Sequence, residues 1–413
     1  MGTKRWSGGC DRRDFLKVGA GAALSLAVPL PIRSAQAQTG TVAFGVVTQN
    51  TGTYAYAGEL VVRGATIALE ERNFEILGRK IKLVVRDDEG KPAVGARRVS
   101  EIIASENVKF FTGNYSSTVG LAEVEVASKE KVLQYAAGGA EDFTGARCSR
   151  YTFMWSAHAY TAMRTVLDYV AKELPNAKKF YTITADYAFG HAILKYTRVV
   201  AQEKGFQLLG NDNHPLGERQ FTQYLTKAIA AKPDILLLLT GGADAETAIR
   251  QFHTFGVKAT RVVAPWAIEV DEMKELTPEM RNGLILGENY YHEINTPVNK
   301  AFVERYLKKH NFPPAYAAAS GYDTFRTILI AMERAKSVEV PDVIRTMEGM
   351  RWDGLLGETT IDAATHQTLR PYFVVKGKAP DQMKSPTDYA EIVSIGSTPQ
   401  PKQHNECKGL GPF

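Results

Sequence analysis

Two short segments of this chain have features that can bind an anion. One has hydroxyl groups at an expected helix start, and the other has glycines after an expected strand. Ser116 and Ser117 open a predicted helix, and Ala137, Gly138 and Gly139 follow a short apolar run. A serine at a helix start can cap the helix, while the first free N–H groups point outward. Those N–H groups and the positive helix end favour a carboxylate, and glycine lets a backbone approach a ligand closely. A simple cap and a carboxylate site both fit these residues.

Aromatic side chains are concentrated in the loops that should face the same cleft. Singly, each fits ordinary packing, because large aromatic side chains dominate protein cores. Together they indicate a flat apolar ligand that carries a carboxylate. These aromatic residues are Tyr54, Tyr56, Tyr115, Trp155, Tyr160, Phe189 and Trp266.

Motifs for catalysis are missing from the sequence. It has no Gly-x-Ser-x-Gly elbow, no His-Glu-x-x-His and no phosphate-binding loop. The histidines are scattered, without the spacing of metal ligands. We therefore expect a protein that is not an enzyme and that uses neither a cofactor nor a metal.

The elements that position these loops alternate between β-branched runs and amphipathic helices. Strands at 41–48, 80–86, 108–112 and 132–136 alternate with helices at 60–72, 92–104 and 117–129. A second series has strands at 179–184, 206–209, 235–239, 261–264 and 284–288, with four helices between 160 and 255. Such alternation predicts an α/β protein with parallel sheets covered by helices. In these folds, ligands sit beyond the carboxyl ends of the strands.

The C-terminal third is expected to differ from the two α/β series. Two long helices, 297–310 and 316–336, precede short strands near 359–361 and 372–375. From Pro380 onward the composition is rich in Pro, Ser, Lys and Gln, which predicts an irregular tail.

The N-terminus has the pattern of an export signal. Arg12 and Arg13 precede an uncharged apolar run of about fifteen residues, and Ala35-Gln36-Ala37 is a small-x-small cleavage site. The paired arginines resemble a twin-arginine signal, although Asp11 replaces the usual Ser or Thr. We expect cleavage near Ala37 and a periplasmic protein.

The export signal also explains the apparent basicity of the chain. The whole chain has 50 Lys and Arg against 45 Asp and Glu, and residues 1–37 hold six of these basic and two of these acidic residues. The remainder is almost neutral, so nothing indicates nucleic acid as a partner.

Two cysteines, Cys148 and Cys407, remain after the signal. An even count in an oxidising compartment fits a disulfide that ties the C-terminal tail to the body. Two free thiols are the alternative, because sequence does not reveal the distance between the residues. We expect the bridge.

Several of these features together resemble the periplasmic binding proteins of the leucine/isoleucine/valine type. They are Gly52 with its aromatic loop, Asp87-Asp88, the Ser116-Ser117 helix start, Ala137-Gly138-Gly139 and the turn at 185–190. The resemblance covers about residues 41–375 in unbroken order. It implies a type I periplasmic binding fold with a ligand cleft between two Rossmann-like lobes. It also implies a protein that delivers a small molecule to an ABC transporter permease in the membrane.

The lobes expected from this resemblance are discontinuous. Lobe one combines 41–157 with 290–362, lobe two combines 160–288 with 365–395, and 396–413 forms the tail. Crossovers are expected near 157–160, 288–292 and 360–368. We expect the protein to be a monomer.

Carried over by position, Ser117 looks like the family's carboxylate-binding serine and Ala137 like the alanine that assists it through its backbone. Gly139 replaces a threonine, Phe189 stands near an aromatic that covers the ligand, and Trp266 replaces the acid that holds an ammonium. Glu269, Asp271, Asp244 and Glu246 are possible substitutes for that acid.

The expected ligand-binding set follows from the loops and the resemblance together. The ligand expected is an aromatic or other apolar carboxylate; a branched-chain amino acid is the alternative. A ligand-sensing receptor domain is a further reading of the same fold. The ligand-binding set is Tyr54, Tyr56, Tyr115, Ser116, Ser117, Ala137, Gly138, Gly139, Tyr160, Phe189 and Trp266.

Overall fold

The structure is a computed structural model that describes Gly2 and residues 40–52, 54–266 and 269–413. The expected export signal with Arg12 and Arg13, its cleavage site near Ala37 and the mature start at Gln38 lie outside the described residues. Every helix within the described ranges is too short or too polar to cross a lipid bilayer.

The first part of the chain alternates strands and helices. Its elements are β1 (Thr41–Thr48), α1 (Ala55–Glu70), β2 (Glu75–Ile76), β3 (Arg79–Asp87), α2 (Pro92–Glu106), β4 (Val108–Gly113), α3 (Ser117–Glu130), β5 (Leu133–Ala136) and β6 (Thr152–Met154). They form a six-stranded sheet in the order β2-β3-β1-β4-β5-β6, parallel except for β2. The central β1 is buried from Val42 to Thr48, and its composition is correspondingly apolar.

The second part repeats this alternation. Its elements are α4 (Ala159–Glu173), β7 (Lys179–Ala185), α5 (Ala188–Glu203), β8 (Gln207–His214), α6 (Thr222–Ala230), β9 (Ile235–Leu239), α7 (Gly242–Thr254), β10 (Arg261–Ala264), α8 (Val270–Glu275), α9 (Pro278–Arg281) and β11 (Ile285–Glu288). Strand β9 consists of one isoleucine and four leucines and is completely buried between β7 and β10.

The last part of the chain supplies three more helices, two strands of the second sheet and a small sheet of its own. Its elements are α10 (Pro297–His310), α11 (Tyr316–Ala335), α12 (Val340–Met347), β12 (Arg351–Gly354), β13 (Gly357–Ile361), β14 (Thr368–Leu369), β15 (Tyr372–Gly377) and β16 (Ala390–Gly396). Strands β15 and β16 extend the second sheet, giving the order β16-β15-β11-β10-β9-β7-β8. Strands β12, β13 and β14 form a small separate sheet.

Helix α11 packs against α1 through a pair of glycines. A Cβ atom on Gly64 would collide with the carbonyl oxygen of Ala318, and one on Gly321 with that of Val61. The two helices therefore approach closely and place the first turn of α11 beside the first sheet. We call the half of the molecule built on the six-stranded sheet the first lobe and the half built on the seven-stranded sheet the second lobe.

The predicted α/β class and the two lobes with parallel sheets are confirmed, although β15 and β16 join the second sheet antiparallel. Three local predictions are corrected. Helix α1 begins at Ala55, not near residue 60, so the second half of the expected aromatic loop is helical. Strand β8 continues to His214, because it is an edge strand whose polar residues need no cover on both sides. Strand β16 lies inside the segment after Pro380 that was expected to be irregular.

Each large sheet has one point where successive strands are added on opposite sides. In the first sheet it lies between β1 and β4, and in the second between β7 and β9. Crevices form outside the carboxyl ends of strands at such points. The loops after these four strands therefore define where a ligand can be held.

Candidate functional site

The start of α3 forms the polar end of the site. Ser116 is the N-cap residue, but its side chain makes no capping hydrogen bond. Ser117 is 1% exposed, and its Oγ accepts a hydrogen bond from the backbone N–H of Ala140 at 3.1 Å. The hydroxyl proton of Ser117 thus stays available for an acceptor, next to N–H groups that the helix cannot satisfy itself. This is a geometry suited to a carboxylate.

The glycine loop after β5 closes around this serine. A Cβ atom on Gly138 would lie 2.8 Å from Ser117 Oγ. On Gly139 a Cβ atom would lie 2.5 Å from Cζ2 of Trp266 and 2.8 Å from Cδ2 of Phe189. The absence of side chains at both positions therefore lets the first lobe meet the aromatic wall of the second.

The second lobe contributes that wall from the loops after β7 and β10. Phe189 lies in the first turn of α5, and its ring centroid is 4.5 Å from that of Trp266. On its other side Trp266 stacks with Tyr372 of β15 at 5.6 Å. Phe189 and Trp266 are almost completely buried, with exposed fractions of 2% and 5%. The wall is therefore rigid and apolar.

The two lobes enclose a cavity of about 20 Å³, which is room for about one water molecule. Direct contacts close it: the N–H of Ala188 donates to Thr118 Oγ1 at 3.3 Å, and the hydroxyls of Tyr54 and Tyr187 are 3.5 Å apart. A larger ligand therefore requires the lobes to separate. The lining residues are Tyr54, Tyr115, Ser117, Gly139, Tyr187, Phe189, Gly241, Gly242, Trp266 and Tyr316.

Six of the eleven residues predicted from sequence line this cavity: Tyr54, Tyr115, Ser117, Gly139, Phe189 and Trp266. Ser116, Ala137 and Gly138 are buried but are not among the lining residues. The carbonyl of Ala137 accepts hydrogen bonds from the hydroxyls of Ser156 and Tyr316.

Tyr56 and Tyr160 are placed outside the cavity. Tyr56 lies in the first turn of α1, two positions after the N-cap residue Tyr54, and side chains at that spacing point in different directions. It lines a separate groove instead. Tyr160 is the second residue of α4, where its ring packs edge-on against Tyr196 of α5.

Sequence reasoning missed Tyr187, Gly241, Gly242 and Tyr316. Tyr187 stands two residues before Phe189, so the same turn could have indicated it. Tyr316 had no local signal, because it comes from the start of α11, far along the chain. Its ring centroid lies 5.5 Å from that of Tyr115.

Four acids were considered as partners for a ligand ammonium, and none lines the cavity. The Oε1 of Glu269 accepts a hydrogen bond from the hydroxyl of Tyr115 at 2.7 Å, so the tyrosine ring separates it from the cavity. Asp244 accepts from the N–H of Gly217 at 2.9 Å, and burial raises its pKa to about 6. Glu246 pairs with Arg250 on α7.

Asp271 and Glu272 lie in the groove beside the cavity. This groove has a volume of about 380 Å³ and is lined by α1 of the first lobe and by α7 and α8 of the second. Burial raises the pKa of Asp271 to about 6 and that of Glu272 to about 7. Part of this acid cluster is therefore uncharged near neutral pH.

Three chain segments cross between the sheets, and Arg370 connects them. Arg370 lies between β14 and β15, and it donates to the carbonyl oxygens of Trp155 at 3.0 Å and of Asn289 in the other two segments. Its guanidinium also lies 3.7 Å from the ring centroid of Trp155. Burial lowers its pKa to about 10. Trp155, one of the predicted cleft aromatics, thus belongs to the hinge.

The C-terminal tail makes a further connection between the lobes. After β16 of the second lobe, it reaches the first lobe, where Cys407 and Cys148 form a disulfide with a Cα–Cα distance of 5.6 Å. The N–H of Arg150 donates to Leu410 O at 2.8 Å. Beneath the tail lies a cavity of about 310 Å³ whose walls include His158 and Arg370.

The described residues contain no cluster of side chains suited to a metal ion. Three or more His, Cys, Asp or Glu side chains never come together there in an arrangement that could hold an ion.

Comparison with known proteins gives consistent matches. A sequence model described as "Periplasmic binding protein" matches residues 41–382. Leu/Ile/Val-binding protein homolog 3 of Brucella melitensis is 25% identical over 346 residues, covering 83% of this chain and 91% of that protein.

Two solved structures extend this comparison. A substrate-binding protein of an amino acid ABC transporter from Pseudomonas fluorescens Pf-5 superposes with a TM-score of 0.85 at 34% identity, covering 89% of this chain and 98% of that one. A solute-binding protein from Rhodopseudomonas palustris BisB5, in complex with 3,4-dihydroxybenzoic acid, has a TM-score of 0.80 at 22% identity, with 88% and 99% coverage.

Proposed function

The chain belongs to the periplasmic binding protein family as an extracytoplasmic substrate-binding protein of an ABC transporter, and we propose that its ligand is a small apolar carboxylate without an ammonium group. An aromatic acid such as benzoate or a hydroxybenzoate is the preferred candidate. In this proposal the protein is exported through its twin-arginine signal, captures the acid as a monomer and presents it to a membrane permease.

The observation that carries this proposal is the composition of the cavity wall. Among the described lining residues, six are aromatic and none is Asp, Glu, Lys, Arg or His. A ligand ammonium enclosed there would lose its hydration without gaining a carboxylate, which is strongly unfavourable. A ligand carboxylate, in contrast, would meet the hydroxyl of Ser117 and the start of α3.

One of the two solved structures supports the same assignment at the level of the fold. The Rhodopseudomonas palustris protein holds 3,4-dihydroxybenzoic acid on a frame that superposes with this one. A frame of this kind can therefore bind an aromatic acid. The aromatic wall formed by Phe189 and Trp266 offers stacking surfaces to a flat ring.

A branched-chain amino acid is the second candidate. It is favoured by the Leu/Ile/Val-binding name of the Brucella melitensis relative and by the buried carboxyls behind Tyr115. An ammonium could reach Glu269 only after the Tyr115 ring turned aside. This candidate therefore predicts a different arrangement of Tyr115 in the complex.

A thermal-shift screen separates the two candidates. It would compare benzoate and 3,4-dihydroxybenzoate with leucine, isoleucine and valine. A specific ligand at a hundredfold excess over its Kd stabilises the native state by about 2.7 kcal/mol. Stabilisation by the aromatic acids alone is the expected result, and stabilisation by leucine would replace the preferred ligand with the second candidate.

The position of the ligand carboxylate is tested by Ser117→Ala. Loss of a hydrogen bond to a charged group should weaken binding by about 1.5–3 kcal/mol, or about ten- to 150-fold. Ser100→Ala on the exposed face of α2 is the matched control. Unchanged affinity in Ser117→Ala would show that the carboxylate binds elsewhere.

A further inference from the structure

Glu269 is a second-lobe residue whose side chain contacts the first lobe with both oxygens. It is the N-cap of α8 and is 3% exposed. Its Oε1 accepts a hydrogen bond from the hydroxyl of Tyr115 at 2.7 Å, and its Oε2 accepts one from the N–H of Ala317 at 3.4 Å. Tyr115 follows β4, and Ala317 lies in the first turn of α11, so one carboxyl bridges the cleft.

Through this contact Glu269 fixes one wall of the ligand cavity without lining it. Tyr115 lines the cavity, and its ring contacts that of Tyr54 at a centroid distance of 5.3 Å and that of Tyr316 at 5.5 Å. Its hydroxyl is held by Glu269, which is not among the lining residues. The ring is therefore positioned from the opposite lobe, and this arrangement exists only while the lobes are together.

The surroundings of Glu269 disfavour a negative charge. The titratable groups that face it are Tyr56 of α1, Tyr115, Tyr316 of α11, and Asp271 and Glu272 of its own helix. No base stands among these described groups; Arg63 and Lys274 act on Asp271 instead. Burial, reinforced by the charge of Glu272, raises the pKa of Glu269 well above its usual value, although the Tyr115 hydrogen bond opposes this.

We propose that Glu269 is a positioning residue for ligand capture, which holds Tyr115 across the closed cleft and takes up one proton from water when the lobes close. The proton comes from hydronium in the surrounding water: an O–H bond forms on the carboxylate as the O–H bond of the donor breaks, one water molecule is released, and no oxidation state changes. In the open arrangement the carboxylate regains water and ionises in its ordinary range. The inference uses the proposed function only for the premise that the lobes separate and close.

The direction of the pH effect follows from this difference. Because the closed form has the higher pKa, closing is favoured at low pH and becomes less favourable as the pH rises above the ordinary carboxyl range of about 4.3. Uptake of one proton changes the closing equilibrium by up to tenfold per pH unit within that window. Ligand affinity should weaken by the same factor, since the ligand is held by the closed form.

Small-angle X-ray scattering of the purified protein without ligand tests this inference directly. The radius of gyration would be measured between pH 5 and pH 8 for the wild type and for Glu269→Gln, which has no charge and keeps the Oε1 acceptor for Tyr115, although it gives up the weaker 3.4 Å bond from the Ala317 N–H. We expect the wild type to expand as the pH rises and Glu269→Gln to stay compact throughout. Glu269→Ala, which loses the contact, should be expanded at every pH.

Two further variants identify the responsible group. Glu59→Gln, on the exposed part of α1 beside the same groove, is the matched control and should respond as the wild type does. A wild-type radius that is independent of pH would overturn the inference. So would a pH response retained in Glu269→Gln, or one removed by Glu272→Gln instead.

The outcome is separable from that of the proposed ligand. Ser117→Ala should bind benzoate about ten- to 150-fold more weakly while keeping the pH-dependent radius. If no carboxylate binds but the radius still responds to pH through Glu269, the ligand assignment fails and the positioning role stands. If aromatic acids bind with equal affinity at pH 5 and pH 8, the ligand assignment stands and the positioning role of Glu269 fails.

Discussion

Trp266 packs directly over the backbone of Gly139, so that a Cβ atom at position 139 would lie 2.5 Å from Cζ2 of the indole. The two residues come from different lobes. They are also the two positions that depart from the amino-acid-binding pattern that the sequence resembles. The structure relates these departures: a large ring on one lobe requires the absence of a side chain on the other.

A first prediction concerns this pair. Gly139→Thr should weaken binding of an aromatic acid by about five- to 150-fold, because overpacking of a well-packed site costs about 1–3 kcal/mol. Trp266→Ala should relieve the collision, so the double variant should bind better than the sum of the single effects indicates. Isothermal titration of the four proteins measures this coupling, and strictly additive effects would show that the two residues do not meet.

A second prediction concerns Arg370. Arg370→Ala should destabilise the protein by about 3 kcal/mol, because the carbonyls of Trp155 and Asn289 each lose a charged hydrogen-bond donor in a buried place. Arg326→Ala, at a position partly open to solvent, serves as the control. Urea denaturation measures both. Equal stability of the two variants would contradict a hinge role for Arg370.

A third prediction concerns the Cys148–Cys407 disulfide. The bridge closes a loop with a sequence separation of 259 residues, and its removal should cost about 3–5 kcal/mol of stability in the chain-entropy description. The double variant Cys148→Ala/Cys407→Ala should therefore denature at lower urea concentration and be insensitive to reducing agent. A wild type whose stability is the same with and without reductant would argue against the bridge.

A fourth prediction follows from Asp244. Burial raises its pKa from 3.8 to about 6 in the folded protein. The folded state therefore binds this proton more tightly than the unfolded state. The resulting contribution to the free energy of unfolding is fully present below pH 3.8 and is lost as the pH rises to about 6. Asp244→Asn should reduce the fall of stability across that window, whereas the exposed Asp381→Asn should leave it unchanged. Parallel pH profiles of wild type and Asp244→Asn would refute this.

The fold could be predicted because most strands of the two large sheets are marked by their own local composition. The buried run in β9 and the alternation of strands with helices determine a parallel sheet without any knowledge of tertiary contacts. The loops after β1 and β4 then follow from the strand ends, and with them Tyr54 and Ser117. Strand β16 was missed because its segment contains the turn-forming residues that usually indicate irregular structure.

The exact cavity wall could not be predicted, because it depends on helix ends and on long-range packing. The first helix was expected from residue 60, yet Gly58 already lies inside α1, where a Cβ atom would collide with the carbonyl oxygen of Gln49. The earlier helix start turns Tyr56 away from the cavity. Tyr316 enters the wall only because α11 packs on α1, which no local pattern reveals.

The central claim is that the site binds a carboxylate and has no place for an ammonium. Isothermal titration with matched ligands tests it most directly: 4-methylpentanoate against leucine, and 3-phenylpropanoate against phenylalanine. Within each pair, only the α-ammonium group differs. We predict that the acids bind at least tenfold more tightly than the amino acids, with the larger affinity in the aromatic pair. Tighter binding of leucine or phenylalanine than of its matched acid would contradict the account.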